Sequence, residues 1–112
     1  MSTTELVQEL KKAGSVNDSA FWKRIAKDLE RSVRSRRVVN LSRLSRNTNP
    51  HDIVIVPGKV LAAGALAHSL TVAAYSFSTE ARKQIEQQKG KALTIAELLA
   101  QNPKGGNVKI IG

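Results

Sequence analysis

Residues 53–64 read IVIVPGKVLAAG, and this stretch sets the expected fold class of the 112-residue chain. Its first four residues are β-branched, which favours extended backbone and predicts a buried strand. Pro57 and Gly58 are typical turn residues, so we expect the chain to turn there. Residues 59–61 then predict a second short extended piece. The stretch therefore indicates a sheet in the second half of the chain.

Strand and helix patterns alternate downstream of this stretch. Residues 70–77 predict a strand, and a helix capped by Ser78 or Thr79 follows to about residue 88, with Ala81 and Ile85 facing inward. The other predicted elements are a strand over 92–95, a helix over 96–100, a loop over 104–107 and a strand over 108–111. This alternation is typical of an α/β domain.

Upstream patterns are helical. Ser2 and Glu5 fit a capping box for a first helix that Gly14 is placed to end. A second helix, capped within residues 17–19, carries an apolar stripe at helical spacing. The stripe consists of Trp22, Ile25, Ala26 and Leu29. We expect one domain with a helical, basic part at 1–47 and an α/β core at 48–112.

Composition excludes several protein classes. The chain is 41% hydrophobic, as suits a globular domain, and it has no cysteine. Disulfide frameworks, zinc fingers, iron–sulfur clusters and thiol nucleophiles are therefore excluded. Neither a membrane span nor a signal-peptide pattern is present in the sequence, so we expect a soluble, intracellular protein.

Positive charge is concentrated in one block. Eighteen Lys and Arg against nine Asp and Glu give a net charge of +9, and residues 23–46 hold nine of the basic residues. Arginine dominates from residue 31 to residue 46, and its planar guanidinium binds phosphate in a bidentate way. The block predicts a polyanionic partner, most commonly nucleic acid.

Two helical patterns present these cations. In the second helix, basic residues at 24, 27, 31 and 34 recur opposite the apolar stripe, where phosphates could reach them. Residues 41–46 (LSRLSR) predict a short helix with both leucines inside and both arginines outside. The same basic residues could instead form a merely solvated surface, or they could bind an anionic membrane or a groove in a partner protein. Binding to a membrane or to a groove would require a broad exposed apolar face, whereas we expect the apolar side of this helix to be buried in the protein's own core.

Two glycine-containing turns are weaker candidates for phosphate contact. Lys59 follows Gly58, and Lys104 precedes two glycines that would let a phosphate chain approach the backbone. Tight turns with incidental lysines explain both equally well.

No catalytic constellation is apparent. His51 and His68 are the only histidines, the acids are scattered, and neither a nucleophile elbow nor a phosphate-binding loop occurs. We expect no enzyme activity, cofactor, metal or small-molecule substrate. With four aromatic residues, base stacking is a poor explanation of the charge, whereas backbone recognition of a folded RNA fits it.

Several motifs together resemble a known family. They are Val54 to Gly64, Val72-Ala73-Ala74 through Phe77-Ser78, the helix with Ala81, Lys83 and Ile85, Asn102 to Gly106, Trp22-Lys23 and Asn40 to Leu44. In these the chain resembles ribosomal protein eighteen-e of the large subunit, of archaeal and eukaryotic type, which is related to the C-terminal part of bacterial ribosomal protein fifteen. Lys89-Gly90 departs from the pair of glycines expected at that turn.

The resemblance implies a fold, a role and partners. The fold would be an irregular superhelix of strand–strand–helix turns behind two N-terminal helices and an Arg-rich segment. The protein would be a cytoplasmic, structural constituent of the large subunit, a monomer within the ribosome, in contact with rRNA and neighbouring ribosomal proteins. A free-standing regulatory RNA- or DNA-binding protein is the alternative. The predicted RNA-binding residues are Lys23, Arg24, Lys27, Arg31, Arg34, Arg36, Arg37, Arg43, Arg46 and Lys59.

Overall fold

The structure, a computed structural model, describes residues 3–31 and 38–111. Two helices come first, and strands and helices then alternate. In chain order the elements are α1 (Thr3–Val16), α2 (Ala20–Arg31), β1 (Val38–Asn40), α3 (Leu41–Arg46), β2 (Ile53–Leu61), β3 (Thr71–Phe77), α4 (Thr79–Gln87), β4 (Lys91–Thr94), α5 (Ile95–Gln101) and β5 (Val108–Ile110). The prediction of an α/β fold behind two N-terminal helices is confirmed.

All pairings among the described strands are parallel and belong to one sheet. β2 pairs with β3, and β3 pairs with β4. The other edge of β2 is shared, because β5 pairs with Ile53–Ile55 and β1 pairs with Lys59–Leu61. The expectation of helix alone in residues 1–47 is wrong at β1. Three residues are too few to show a strand's alternation, and their extended form depends on pairing with β2.

Pro57 and Gly58 do not turn the chain, so that prediction is wrong. β2 runs through them as one nine-residue strand. Its register against β3 shifts between Val56 and Lys59, where three steps along β2 match two along β3. This is a β-bulge. Proline lacks a ladder donor and glycine tolerates irregular backbone, so the residue types that favour turns also favour bulges.

Helices cover both faces of the sheet, as parallel sheets require. Successive residues of a strand point to opposite faces. Ile55 accordingly packs into a core with residues of α1, α2 and α5, whereas Val54 and Val56 pack into another core with residues of α3 and α4. We call these two sides of the sheet the α2 face and the α3 face.

Gly14 lies inside α1 rather than at its end, because α1 continues to Val16. A Cβ atom on Gly14 would stand 2.6 Å from Cγ of Lys23 and 3.1 Å from its backbone nitrogen. The glycine therefore permits α2 to approach α1 closely, and the prediction that it ends the helix is wrong. The predicted cap of α2 is present, since the Ser19 hydroxyl accepts a hydrogen bond from the Trp22 N–H at 3.4 Å.

The turn after α4 contains the departure from the family pattern. The Gly90 N–H donates to the carbonyl of Ile85, and the Lys89 N–H donates to the carbonyl of Glu86, both at 2.9 Å. These bonds form a Schellman motif, whose left-handed position usually holds glycine. Here Lys89 occupies it, with a φ of 63°.

Candidate nucleic-acid interface

Helix α2 separates an apolar side from a cationic side. Trp22, Ile25 and Leu29 are fully buried in the core of the α2 face. Arg24 and Lys27 project away from that core, and the Arg24 side chain is 68% exposed. We call these two exposed cations the α2 ridge. Because the buried side fixes the helix on the sheet, the ridge is held facing outward.

The α2 ridge stays positively charged although the basic block also contains two acidic residues, Asp28 and Glu30. Asp28 Oδ2 lies 3.9 Å from Arg24 Nε, a loose and solvent-exposed ion pair. Such pairs contribute at most about 1 kcal/mol, so a phosphate can compete for the guanidinium. Glu30 instead forms an ion pair with Lys11 of α1. The negative charge of Glu30 therefore compensates Lys11 of α1 rather than the cations of the α2 ridge.

Lys23 belongs to the side of α2 that meets α1. Its Cγ and backbone nitrogen pass next to Gly14, as the close approach of the helices requires. The residue as a whole is nevertheless exposed. Lys23 therefore lies beside the α2 ridge rather than on it.

The loop with Gly105 and Gly106 packs against the start of α2. Trp22 Nε1–H donates to the carbonyl of Asn102 at 3.0 Å, and the Ser19 hydroxyl donates to the carbonyl of Lys104 at 3.1 Å. Gly105 has a φ of 70°, and a Cβ there would stand 2.4 Å from the Phe21 ring. Packing alone therefore explains this glycine, whereas a Cβ on Gly106 would meet only open space.

Helix α3 carries its arginines on the opposite side of the molecule. Leu41 and Leu44 are fully buried in the core of the α3 face, and Arg43 and Arg46 are exposed, as predicted. Asn40 precedes the helix in extended conformation without a side-chain capping bond. The sheet therefore lies between these arginines and the α2 ridge.

A second pair of cations meets where α3 lies beside β5. Arg43, Asn47, Lys109, Ile110 and Ile111 line an open hollow of about 410 Å³. Asn47 is fixed there, since its side-chain amide donates to the carbonyl of Arg43 at 2.8 Å. We call this feature the α3–β5 hollow. It brings together the two basic residues Arg43 and Lys109.

Asp52 positions Lys109 at this hollow. Lys109 Nζ donates to Asp52 Oδ2 at 2.8 Å, and the Asn49 N–H donates to the same oxygen at 2.8 Å. The hydrogen bond from Lys109, together with the one from the Asn49 backbone, lowers the pKa of Asp52 below its ordinary value. Lys109 is therefore held in place, and its charge is partly compensated.

Comparisons with known proteins show the family to which this chain belongs. The family model of ribosomal proteins 60S L18 and 50S L18e matches residues 5–112. This chain belongs to that family. The large ribosomal subunit protein eL18 of Methanococcus maripaludis is 47% identical over 97% of this chain and 91% of that protein. The protein of the same name from Methanothermobacter thermautotrophicus is 42% identical over 96% of this chain and 88% of its own length.

Family membership confirms the resemblance drawn from the sequence motifs. It also confirms that the chain is a ribosomal protein rather than an enzyme. Both relatives are archaeal proteins.

Lys59 lies on the α2 face, next to the bulge of β2. Val60 packs into the core of the α3 face, so its neighbour Lys59 points the other way. Lys59 is exposed and pairs in register with Val38 of β1 and Ser76 of β3. The structure thus places Lys59 on the same side of the sheet as the α2 ridge.

Part of the predicted site lies outside the described residues. Arg34, Arg36 and Arg37 belong to the segment 32–37, and for Arg31 the structure describes only the helical backbone. Among the described residues, the predicted cations fall into two groups on opposite faces rather than one continuous patch.

Lys109 is not among the RNA-binding residues predicted from the sequence. Residues 108–111 predict a strand, and the alternation in Val108-Lys109-Ile110 indicates that the lysine faces away from its neighbours. What the pattern could not reveal is that β5 pairs with β2 beside α3, which brings Lys109 and Arg43 to one hollow.

The two histidines take local roles in the structure. The Thr48 hydroxyl donates its hydrogen to the carbonyl of Leu44 at 2.6 Å, so at 2.9 Å it accepts from His68 Nε2–H. His51 is exposed in a turn. Within residues 3–31 and 38–111, no group of three or more potential ligands could hold a metal ion. No helix in the same ranges is long and apolar enough to span a bilayer.

Proposed function

We propose that the chain is a structural constituent of the large ribosomal subunit that binds large-subunit rRNA through its Arg/Lys-rich N-terminal region and supports subunit assembly and translation. The observation that carries this proposal is the α2 ridge, whose cations stand opposite a fully buried apolar stripe. The names of the relatives, large ribosomal subunit proteins, support it. The protein would act in the cytoplasm as a monomer within the ribosome, in contact with neighbouring ribosomal proteins.

Recognition of the RNA backbone, rather than of bases, follows from the positions of the aromatic residues. All four are described, and each is buried or half-buried. Stacking on single-stranded bases requires exposed rings. Phosphate contacts from Lys and Arg do not, and they suit a densely folded RNA. The proposed contacts are Lys23, Arg24, Lys27, Arg31, Arg34, Arg36, Arg37, Arg43, Arg46 and, less centrally, Lys59.

We also infer that residues 1–112 form a single domain whose strand and helix units wind as an irregular superhelix. The shared edge of β2 supports this inference. After passing β3 and β4, the chain returns through α5 so that β5 pairs beside the start of β2. A scaffold closed in this way would present the cations on a rigid body.

Salt dependence of binding tests the phosphate contacts. If six to nine cations meet phosphates, the logarithm of affinity for large-subunit rRNA should fall against the logarithm of salt concentration with a slope of about −4 to −8. A slope near zero would contradict the proposal.

Sedimentation of cell extracts tests the assignment to the ribosome. A structural constituent should co-migrate with large subunits and resist a moderate salt wash. A free-standing regulatory protein would instead be found mostly unbound, and that result would favour the alternative function.

A further inference from the structure

The side of α1 that faces away from α2 carries an open groove. Lys11 and Gly14 belong to the other side of the helix, where they contact α2. Two hollows of about 340 and 320 Å³ adjoin along the outer side and share two of their lining residues. We call this surface the α1 groove. It is lined by Glu5, Gln8, Glu9, Lys12, Ala13, Val16, Asn17 and, from α5, Leu99.

The charge of the α1 groove differs from that of the chain as a whole. Glu5 and Glu9 against Lys12 give its lining a net charge of −1, whereas the chain carries +9. Such a lining offers a phosphate backbone no net attraction. Glu9 and Lys12 are exposed, and the ion pairs described among residues 3–31 and 38–111 do not include either of them. Both charges are therefore available to a protein partner.

Apolar surface accompanies these charges. Val16 is 74% exposed, more than any other large apolar residue that the structure describes. Ala13 and Leu99 are half-buried beside it in the same groove. A partner that covers Val16 removes apolar surface from water, which favours association.

The spacing of residues along the groove indicates a second copy of the chain as the partner. Positions 5, 9, 12 and 16 follow one another at intervals of four, three and four residues, as contact positions do in paired helices. This order of intervals is the same in both directions, so an antiparallel copy of α1 matches it position for position. Glu9 of each copy then faces Lys12 of the other. Val16 of each faces Glu5 and packs on its aliphatic part.

We propose that the α1 groove pairs with the α1 groove of a second copy of this chain, so that the unassembled protein forms an antiparallel, two-fold symmetric dimer. A contact of this symmetry requires a self-complementary surface, which the opposed Glu9 and Lys12 provide. Repulsion between the two basic bodies is screened beyond about 8 Å in physiological salt, whereas the facing charges are in direct contact. The inference goes beyond the proposed function and does not depend on it.

Sedimentation equilibrium of the purified, nucleic-acid-free, full-length protein tests the proposal. The contact is small, so we expect dimers to appear between about 10 μM and 1 mM protein at about 0.15 M salt. Val16→Ser should weaken dimerisation about tenfold, because the lost apolar contact occurs twice in a symmetric dimer. A protein that stays monomeric throughout this range would overturn the proposal.

Reversal of the facing charges tests the antiparallel arrangement. Glu9→Lys alone or Lys12→Glu alone places like charges opposite each other, so each variant should be monomeric. An equimolar mixture of the two variants should dimerise again, because every lysine of one chain then faces a glutamate of the other. The double variant Glu9→Lys with Lys12→Glu should also dimerise like the wild type. Failure of both rescues would overturn the arrangement.

Two control variants separate the groove from a general charge effect. Glu80 and Lys83 are exposed on α4 with the same spacing as Glu9 and Lys12. Glu80→Lys and Lys83→Glu should therefore leave dimerisation unchanged, and thermal unfolding confirms that every variant is folded. Equal loss in these controls, or wild-type dimerisation of the Glu9→Lys chain alone, would overturn the assignment to the α1 groove.

Discussion

Trp22 donates its indole Nε1–H to the backbone carbonyl of Asn102 at 3.0 Å, joining positions 80 residues apart. The ring itself is fully buried and meets Phe21 edge to face, with centroids 4.8 Å apart. This contact fastens the cationic helix to the loop that leads into β5. The orientation of the α2 ridge therefore depends on Trp22.

Truncating Trp22 should weaken folding rather than RNA contact. We expect Trp22→Ala to cost about 3–5 kcal/mol of unfolding free energy. Trp22→Phe removes one of two donors to the Asn102 carbonyl, which still accepts from the Gly105 N–H at 3.1 Å. Loss of that hydrogen bond should cost about 0.5–1.5 kcal/mol, in addition to the packing lost with the smaller ring. Denaturant unfolding measures both. A variant of wild-type stability that has lost rRNA affinity would show that the ring serves binding instead.

The neighbouring glycines Gly105 and Gly106 should respond very differently to alanine. Gly105→Ala forces a left-handed residue, which costs about 1–2 kcal/mol, and also displaces the Phe21 ring. Gly106→Ala meets open space and should stay within about 0.5 kcal/mol of wild type. Unfolding free energies of the two variants decide the matter, and equal values would contradict the packing described here.

Lys89→Gly should stabilise the protein. Relief of the left-handed lysine, worth about 1–2 kcal/mol, exceeds the entropic cost of a glycine, about 0.4–1 kcal/mol. Gln88→Gly is the matched control, because Gln88 has an ordinary φ of −84° and should only lose stability. Melting temperatures of both variants test the expectation, which fails if the two change in the same direction.

The contribution of Asp52 should depend on pH. Its pKa is lowered in the folded state by Lys109 and by the Asn49 N–H, so the unfolded chain binds the proton more readily. The stabilisation is present above the ordinary pKa of 3.8 and is lost as the pH falls through the lower folded value. Asp52→Asn should therefore be less stable than wild type at neutral pH. The difference should shrink below about pH 4 in unfolding titrations, whereas a difference independent of pH would contradict the ion pair.

Replacing Arg34, Arg36 and Arg37 by alanine together should flatten the salt dependence of rRNA binding by about two to three units, because each lost phosphate contact removes 0.7–0.9 of slope. Fluorescence anisotropy over a series of salt concentrations gives the slope. An unchanged slope would move the binding surface away from these arginines.

The contrast between α2 and β2 shows what local pattern could establish. The stripe from Trp22 to Leu29 is long enough to define a helical face, and the structure buries all of it. The cap at Ser78 also followed from local chemistry. Pro57 and Gly58 could mark a turn or a bulge, and only pairing with β3 makes them a bulge.

The sequence by itself determined the α/β class, the buried stripe of α2, the excess of phosphate-binding cations and the family, because each depends on residue types and short-range spacing. The tertiary structure alone decided that α2 and α3 lie on opposite faces and that Lys109 joins Arg43. The reason is physical. Side-chain direction along a strand alternates locally, but which strand lies beside which helix depends on pairing between residues such as Ile55 and Ile110, far apart in the chain.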